Sequence, residues 1–459
     1  METKSAWEKY TAKQLKEVEK LSTDYKQFIS ECKTERECVD YIVERVEKEG
    51  YVELNQLIAS GKKLQTGDKV YAVNMEKAVI LFRIGEKPLE EGMNILGAHI
   101  DSPRIDVKQN PLYEEGDFAY LDTHYYGGIK KYQWVTIPLA IHGVVVKKDG
   151  MTVIINIGEE EDDPVFFVSD LLIHLASEQM DKKANKVIEG EMLDIIIGNK
   201  PLKGEEKNKV QAGILKILKE EYDIDEEDFL SAELEIVPAG KARDAGFDRS
   251  MVLGYGQDDR VCAFSSYVAM LETAECARTS CCILVDKEEI GSVGATGMQS
   301  RFFENSVAEV MELCGDYSEL KLRRALTNSR MLSSDVSSAY DPNFGSSFEK
   351  KNVAYLGHGM VFNKFTGSRG KSGSNDANAE YMAKIRKIMD DAKVTYQTAE
   401  LGKVDLGGGG TIAYILSLYG MEVIDCGVPV LSMHAPHEAT SKADLYEAKC
   451  GYAAFLLAE

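Results

Sequence analysis

Of the seven histidines in this chain, at positions 99, 124, 142, 174, 358, 434 and 437, two, His99 and His434, follow apolar strand-like runs. His99 follows the strand-like run Asn94 to Ala98 and precedes Asp101 by two. At a strand end, positions i and i+2 point to the same side. A metal-binding histidine commonly donates its other ring N–H to a carboxylate, which fixes its tautomer, and Asp101 is placed to do this. A merely polar strand end accounts for the pair as well. Gln257-Asp258-Asp259-Arg260 precedes the helix-like run Val261 to Leu271. Two acids there suit either metal ligation or helix capping. Ile283-Leu284-Val285-Asp286-Lys287 is followed by Glu288-Glu289 and a glycine-rich stretch, Gly291 to Gly297. That pattern sets carboxylates at the C-terminal edge of a sheet, where open α/β sheets bind ligands. Asp335 ends Ser333-Ser334-Asp335, and His434 follows the apolar run Val428 to Leu431.

Mixed histidine and carboxylate ligation suits zinc, manganese or cobalt better than calcium or magnesium. Two histidines and several carboxylates at element ends supply what a two-metal hydrolase needs. Two ions roughly 3.5–4 Å apart polarise a carbonyl and activate a water. A bridging carboxylate holds the pair, and a free carboxylate takes the proton.

The elements that must position these residues follow from periodicity. Residues 5–49 predict two amphipathic helices joined near Ser30 to Thr34. Tyr132 to Val146 and Met151 to Ile157 predict strands around the turn Lys148-Asp149-Gly150. Pro201 to Asp223 predicts a surface loop leading into a helix. From about residue 232 strands and helices alternate: Val261 to Leu271 (helix), Cys281 to Val285 (strand), Ser306 to Leu313 (mixed), Ala377 to Ala392 (helix) and Gly410 to Tyr419 (helix). The expected fold is α/β, with a mixed, largely parallel sheet flanked by helices. The α/β domain is split, 1–106 and 241–459, around a β-rich insert at 107–240.

The chain has 459 residues, 44% hydrophobic and 28% charged, the profile of a soluble globular protein. Its net charge of -22, from 54 basic and 76 acidic residues, argues against nucleic acid or anionic membrane as partner. No apolar run approaches the roughly 20 residues of a membrane span, and the N-terminus lacks a signal-peptide core. The expected location is the cytoplasm. Nine cysteines without a Cys-x-x-Cys pair predict buried, reduced thiols.

Taken together, Gly97-Ala98-His99-Ile100-Asp101-Ser102-Pro103, Asp258-Asp259, Asp286 to Ser292, Ser334-Asp335 and Ser432-Met433-His434 resemble, in order, the motifs of the aspartyl aminopeptidase family of dinuclear zinc metallo-aminopeptidases. The resemblance covers nearly the whole chain. It implies an aminopeptidase acting on peptide substrates with two divalent ions per chain, zinc first, with cobalt or manganese as alternatives. The implied ligands are His99, Asp258 (bridging), Glu289, Asp335 and His434, with Asp101 orienting His99 and Glu288 as general base. It also implies that the insert builds dimers and a dodecamer. The family's insert lends a histidine to the neighbouring subunit's site, and His174, within Phe167 to Leu175, is the matching candidate. Where better-known members carry a lysine that recognises an acidic substrate side chain, this chain has Asn363, with Lys364 one residue later, and Val135-Thr136 beside Trp134 also departs. The chain resembles a divergent bacterial-type branch without the basis for a strictly acidic preference.

Other signals fail. Gly370-Lys371-Ser372 has Phe365 where a P-loop requires glycine, Gly407 to Gly410 lacks a lysine, and there is no Gly-x-Ser-x-Gly elbow. The glycine run fits a tight backbone approach at a helix start. The alternatives are a related dinuclear hydrolase, such as a broader aminopeptidase or deacylase, and a non-catalytic assembly protein. Retention of Glu288 and all five implied ligands argues against the last.

Overall fold

The protein is described here from a computed structural model covering residues 4–459. Its chain forms two compact units. One comprises the chain up to Asp101, Ala242–Met433 and Glu438–Glu459; the other comprises Ser102–Lys241 with His434–His437.

The first unit is built on a nine-stranded sheet among the described residues. The order across it is Val52–Glu53, Lys69–Asn74, Ala78–Arg83, Ser280–Val285, Asn94–His99, Arg330–Ser334, Glu422–Gly427, Met360–Asn363 and Tyr396–Thr398. The four strands from Ser280–Val285 to Glu422–Gly427 run parallel, bounded by antiparallel Ala78–Arg83 and Met360–Asn363. Every residue of Asn94–His99 and Ser280–Val285 is buried, which is why both appear in the sequence as unbroken apolar runs. Their side chains alternate between two cores. Leu96, Ala98, Cys282, Leu284 and Leu332 pack with the helices Ala12–Glu31, Gln257–Glu272 and Lys442–Leu456. Ile95, Ile283, Val285 and Met331 pack with Phe302–Leu313 and Ala413–Ser417.

The N-terminal helices Ala12–Glu31 and Glu35–Lys48 each begin with a capping box, Thr11 with Gln14 and Thr34 with Glu37. The expected mixed segment Ser306 to Leu313 is part of one helix, Phe302–Leu313, whose apolar side faces the sheet. The expected helix Gly410 to Tyr419 shrinks to Ala413–Ser417. Gly408, at φ 127°, leaves no room for a side chain, because a Cβ would meet the Gly367 carbonyl at 2.7 Å. No disulfide joins the nine cysteines. Among the described residues no helix is long and apolar enough to cross a membrane.

The second unit contains an antiparallel six-stranded sheet in the order Thr152–Ile157, Leu139–Val146, Ala232–Pro238, Arg104–Glu115, Phe118–Tyr126, Ile195–Gly198. The strand expected from Tyr132 starts only at Leu139. Lys131–Gln133 is a 3-10 turn, Thr136 has a left-handed φ of 61°, and Pro138 offers no N–H to a ladder. The helix expected at the end of Pro201 to Asp223 is Lys209–Tyr222.

Candidate metal centre

His99 ends the central strand, 1% exposed, with its ring at the C-terminal edge of the parallel strands. Its Nδ1 lies 3.2 Å from Asp101 Oδ1 and 3.1 Å from the Asp101 carbonyl, which makes Nδ1 the protonated nitrogen. The other ring nitrogen, Nε2, faces Asp258 Oδ1 at 3.2 Å, Glu288 Oε2 at 3.9 Å and Asp335 Oδ1 at 4.0 Å. Asp101 also reaches the adjacent strand end. Its Oδ1 accepts the Glu288 N–H and its Oδ2 the Glu289 N–H, each at 3.1 Å. One buried carboxylate thus fixes both the imidazole and the backbone that presents the paired glutamates. That backbone leaves the strand Ser280–Val285 through Lys287, at φ 71°, and turns Glu288 and Glu289 into a single 3-10 turn.

Asp258 arrives from another direction. The helix Gln257–Glu272 opens with non-helical φ/ψ at Asp258 and Asp259, and the peptide between them is cis. The Asp258 N–H donates to Glu438 Oε2 at 3.1 Å. Tyr25 donates to Gln257 Oε1 at 2.5 Å, and Gln257 Nε2 donates to the Val252 carbonyl at 2.9 Å. Arg260 ties the first turn to the Ile100 and Lys33 carbonyls at 3.1 and 2.8 Å. Asp335 follows Arg330–Ser334, its N–H donating to the Cys426 carbonyl at 2.9 Å.

Two groups of possible ligands result, His99 with Glu288 and Glu289, and His99 with Asp258 and Asp335, their donor atoms within 4.8 Å of one another. Burial holds the Asp335 carboxyl well above the usual range, and the negative Asp258 and Glu288 raise it further. Burial also raises Asp259. For His99 burial alone would act downward, but the hydrogen bonds to Asp101 and Asp258, with the nearby charge of Glu288, hold it well above its ordinary value. Burial leads the shifts of Asp335 and Asp259, and negative neighbours add to those of Asp335 and His99, so the cluster holds carboxylates close together away from water. A divalent cation supplies positive charge there, and a borderline-soft one suits an imidazole among carboxylates. The residues fit zinc.

The other expected site residues lie in the second unit. His434 is half-buried, and its Nδ1 is 2.8 Å from the Gly128 carbonyl. His174 is exposed on a one-turn 3-10 segment, Ile173–Leu175, flanked by exposed Leu172, Ile173 and Leu175. Asn363, 3% exposed, donates its amide to the Ala399 carbonyl at 2.9 Å, while Lys364 and Lys371 both pair with Asp376. Sequence reasoning gave no role to Glu438, the acceptor for Asp258, or to Arg260. Glu438 stood in the same motif as His434, so the signal was present but unread.

The model of the family described as Aminopeptidase I zinc metalloprotease (M18) matches residues 28–456. Over 456 residues the chain is 67% identical to the "Probable M18 family aminopeptidase 1" of Clostridium acetobutylicum, covering 99% of this chain and 98% of that one. The fold resembles the crystal structure of an M18 family aminopeptidase from Thermotoga maritima, with a TM-score of 0.95, 44% identity and 99% of both chains covered. It also resembles the S. cerevisiae mApe1 dodecamer, with a TM-score of 0.73 over 94% of this chain and 95% of that one; at 19% identity this is a likeness of fold.

Proposed function

The chain belongs to the M18 family of zinc metalloprotease aminopeptidases, and from that premise we propose that His99, Asp258, Glu289, Asp335 and His434 hold two zinc ions, with Asp258 between them and Glu288 as general base. The observation that carries this assignment is the Asp101 carboxylate, which binds the His99 ring and both glutamate N–H groups. Both oxygens of Asp101 are engaged by groups that the ligands depend on, and Asp101 therefore serves to position ligands.

Zinc, when bound, supplies a Lewis acid for the peptide carbonyl and makes water more acidic. The protein's own residues do the rest. Glu288, whose side chain keeps 14% exposure, is open enough to accept a proton from attacking water and pass it to the leaving amine. Asp101 keeps the His99 tautomer fixed throughout. The N-terminal preference is broad rather than strictly acidic, because Asn363 is neutral and Lys364, next in sequence, is committed to Asp376.

The second unit serves assembly, as dimers that build a dodecamer like the one described for the yeast relative, and His174 acts in a neighbouring subunit's site. The reaction takes place in the cytoplasm. The assignment is tested with Glu288→Gln. The amide is isosteric and Glu288 is not a ligand, so zinc content stays at two ions per chain while kcat falls by roughly 10²–10⁴. Near-parental kcat in the zinc-replete variant overturns the role of Glu288.

A further inference from the structure

At the opposite end of the same strand that leads to Asp335 lies a cluster of cations with no function in the site above. Arg330 begins the strand Arg330–Ser334, paired on one side with Asn94 and on the other with Glu422. It is 3% exposed, and its Nε, Nη1 and Nη2 are all buried without a hydrogen-bond partner. A guanidinium carries five N–H donors and does not give up its charge. Burying one with none of them satisfied is strongly unfavourable. Arg278 lies near it, its Nη1 on the Asn328 carbonyl at 3.1 Å and its Nε buried without a partner. Lys384 is the third cation. Its helix Ala379–Ala392 is fixed over the start of the strand by Tyr381, which donates to the Met331 carbonyl at 3.0 Å. Burial lowers Arg330, Arg278 and Lys384 alike, and both Arg330 and Lys384 are lowered further by their cationic neighbours. The carboxylates acting on the group are Glu422, on Arg330 and Lys384, and Glu91, on Arg278. Neither forms an ion pair with them. One buried polar acceptor stands nearby without a partner, Asn94 Oδ1, whose Nδ2 is taken by the carbonyls of Phe455, Leu456 and Ala458.

We propose that Arg330 and Arg278, with Lys384 at the rim, bind a small inorganic anion, a halide or an oxyanion such as phosphate, at the N-terminal end of the parallel sheet. The ligand must be small, because the Arg330 nitrogens are closed to solvent. It must be anionic, because these donors lack acceptors and counter-charge together. The guanidinium fork suits an oxyanion, and its diffuse charge also accepts a halide. The anion is a structural ligand of the fold, at the end of the strand Arg330–Ser334 away from Asp335.

The test uses the zinc-loaded enzyme. Crystals are grown in sodium bromide or in sodium phosphate, and thermal midpoints are measured in chloride or phosphate against gluconate at matched ionic strength. The crystals are expected to show one anion about 3 Å from the Arg330 nitrogens, by bromine anomalous signal or as a phosphate-shaped peak. The arm that fills the site distinguishes halide from oxyanion. In solution the parent's midpoint rises saturably. Arg330→Met removes that rise, and Arg278→Gln raises the half-saturating concentration at least tenfold. Without small anions, Arg330→Met melts no lower than the parent, because methionine carries no buried charge. Water alone at Arg330 in both crystals overturns the proposal. So does a saturable rise in Arg330→Met equal to the parent's. Should Arg330→Met not fold, an unchanged half-saturating concentration in Arg278→Gln overturns it.

Discussion

Replacing Asp101 with asparagine tests the positioning network with almost no change in volume. Both carboxylate oxygens are in use: Oδ1 meets His99 Nδ1 at 3.2 Å and the Glu288 N–H at 3.1 Å, and Oδ2 meets the Glu289 N–H at 3.1 Å. The partners are three donors, and asparagine offers one accepting oxygen. In either orientation its NH₂ opposes at least one N–H. If it faces His99, the ring is pushed toward the tautomer with its proton on Nε2, which removes the Nε2 lone pair that a metal would need. If it faces Glu289, the turn carrying both glutamates shifts. Loss of a partner that orients a metal-binding histidine typically weakens metal affinity or activity 10–100-fold, or about 1.4–2.7 kcal/mol. Zinc affinity of Asp101→Asn, measured by competition with a chelator, is therefore expected to fall by that factor. The kcat/KM on aminoacyl amides should fall at least as far, with the fold intact by circular dichroism. Parental zinc affinity together with kcat/KM within a factor of two would refute the reasoning that Asp101 sets the His99 tautomer.

Other outcomes follow from the same geometry. Asp258→Ala removes the proposed shared anion and should lose at least one ion per chain by mass spectrometry; retention of two tightly held ions contradicts the bridge. Glu438→Ala takes the acceptor from the Asp258 N–H, and a drop of roughly tenfold in zinc affinity is expected, whereas Glu438→Gln, which keeps an accepting oxygen, should lie close to the parent. His174→Ala and Glu288→Gln chains, each nearly inactive alone, should regain part of their activity when dissociated and reassembled together, and mixed oligomers that stay inactive rule out His174 acting across the interface. Asp425, buried with Thr411 donating to its Oδ1 at 2.5 Å, is pushed up by burial to about 7. The folded state then keeps a proton that the unfolded chain releases near pH 4. Its contribution is full below pH 4, declines as pH rises to about 7 and is flat above. Asp425→Asn should therefore gain stability relative to the parent on going from pH 4 to pH 8, by a few kcal/mol in urea unfolding, and a pH-independent difference refutes the assignment.

What the sequence disclosed and what it hid divide along physical lines. The strands Asn94–His99 and Ser280–Val285 were legible because burial on both faces demands continuous apolar residues, and the polar residue that breaks such a run marks the sheet's ligand-binding edge. The helix Phe302–Leu313 was harder to see. Its apolar positions sit among Glu304, Asn305, Glu309 and Glu312, and over a short window that pattern resembles a strand as much as a helix. The stretch before Leu139 misled for the opposite reason. Its residues favour strands, but a left-handed Thr136 and a proline prevent pairing. Within the site, the order of the acids was readable and their convergence was not. Nothing local in the sequence shows that Asp101 serves two strand ends at once, or that Glu438 holds the Asp258 backbone. Those are contacts between residues 187 and 180 positions apart, set by the topology of the sheet. Arg330 escaped notice because an arginine at the start of a strand looks like any exposed charge until its burial is seen.

The most direct test of the central claim is an anomalous difference map at the zinc edge, from crystals of the zinc-loaded enzyme. Two peaks are expected, one shared and one distinct set of ligands drawn from His99, Asp258, Glu289, Asp335 and His434, with Asp258 contacting both and Glu288 and Asp101 contacting neither. A single peak, peaks away from these residues, or a zinc ion bound directly by Asp101 would contradict it.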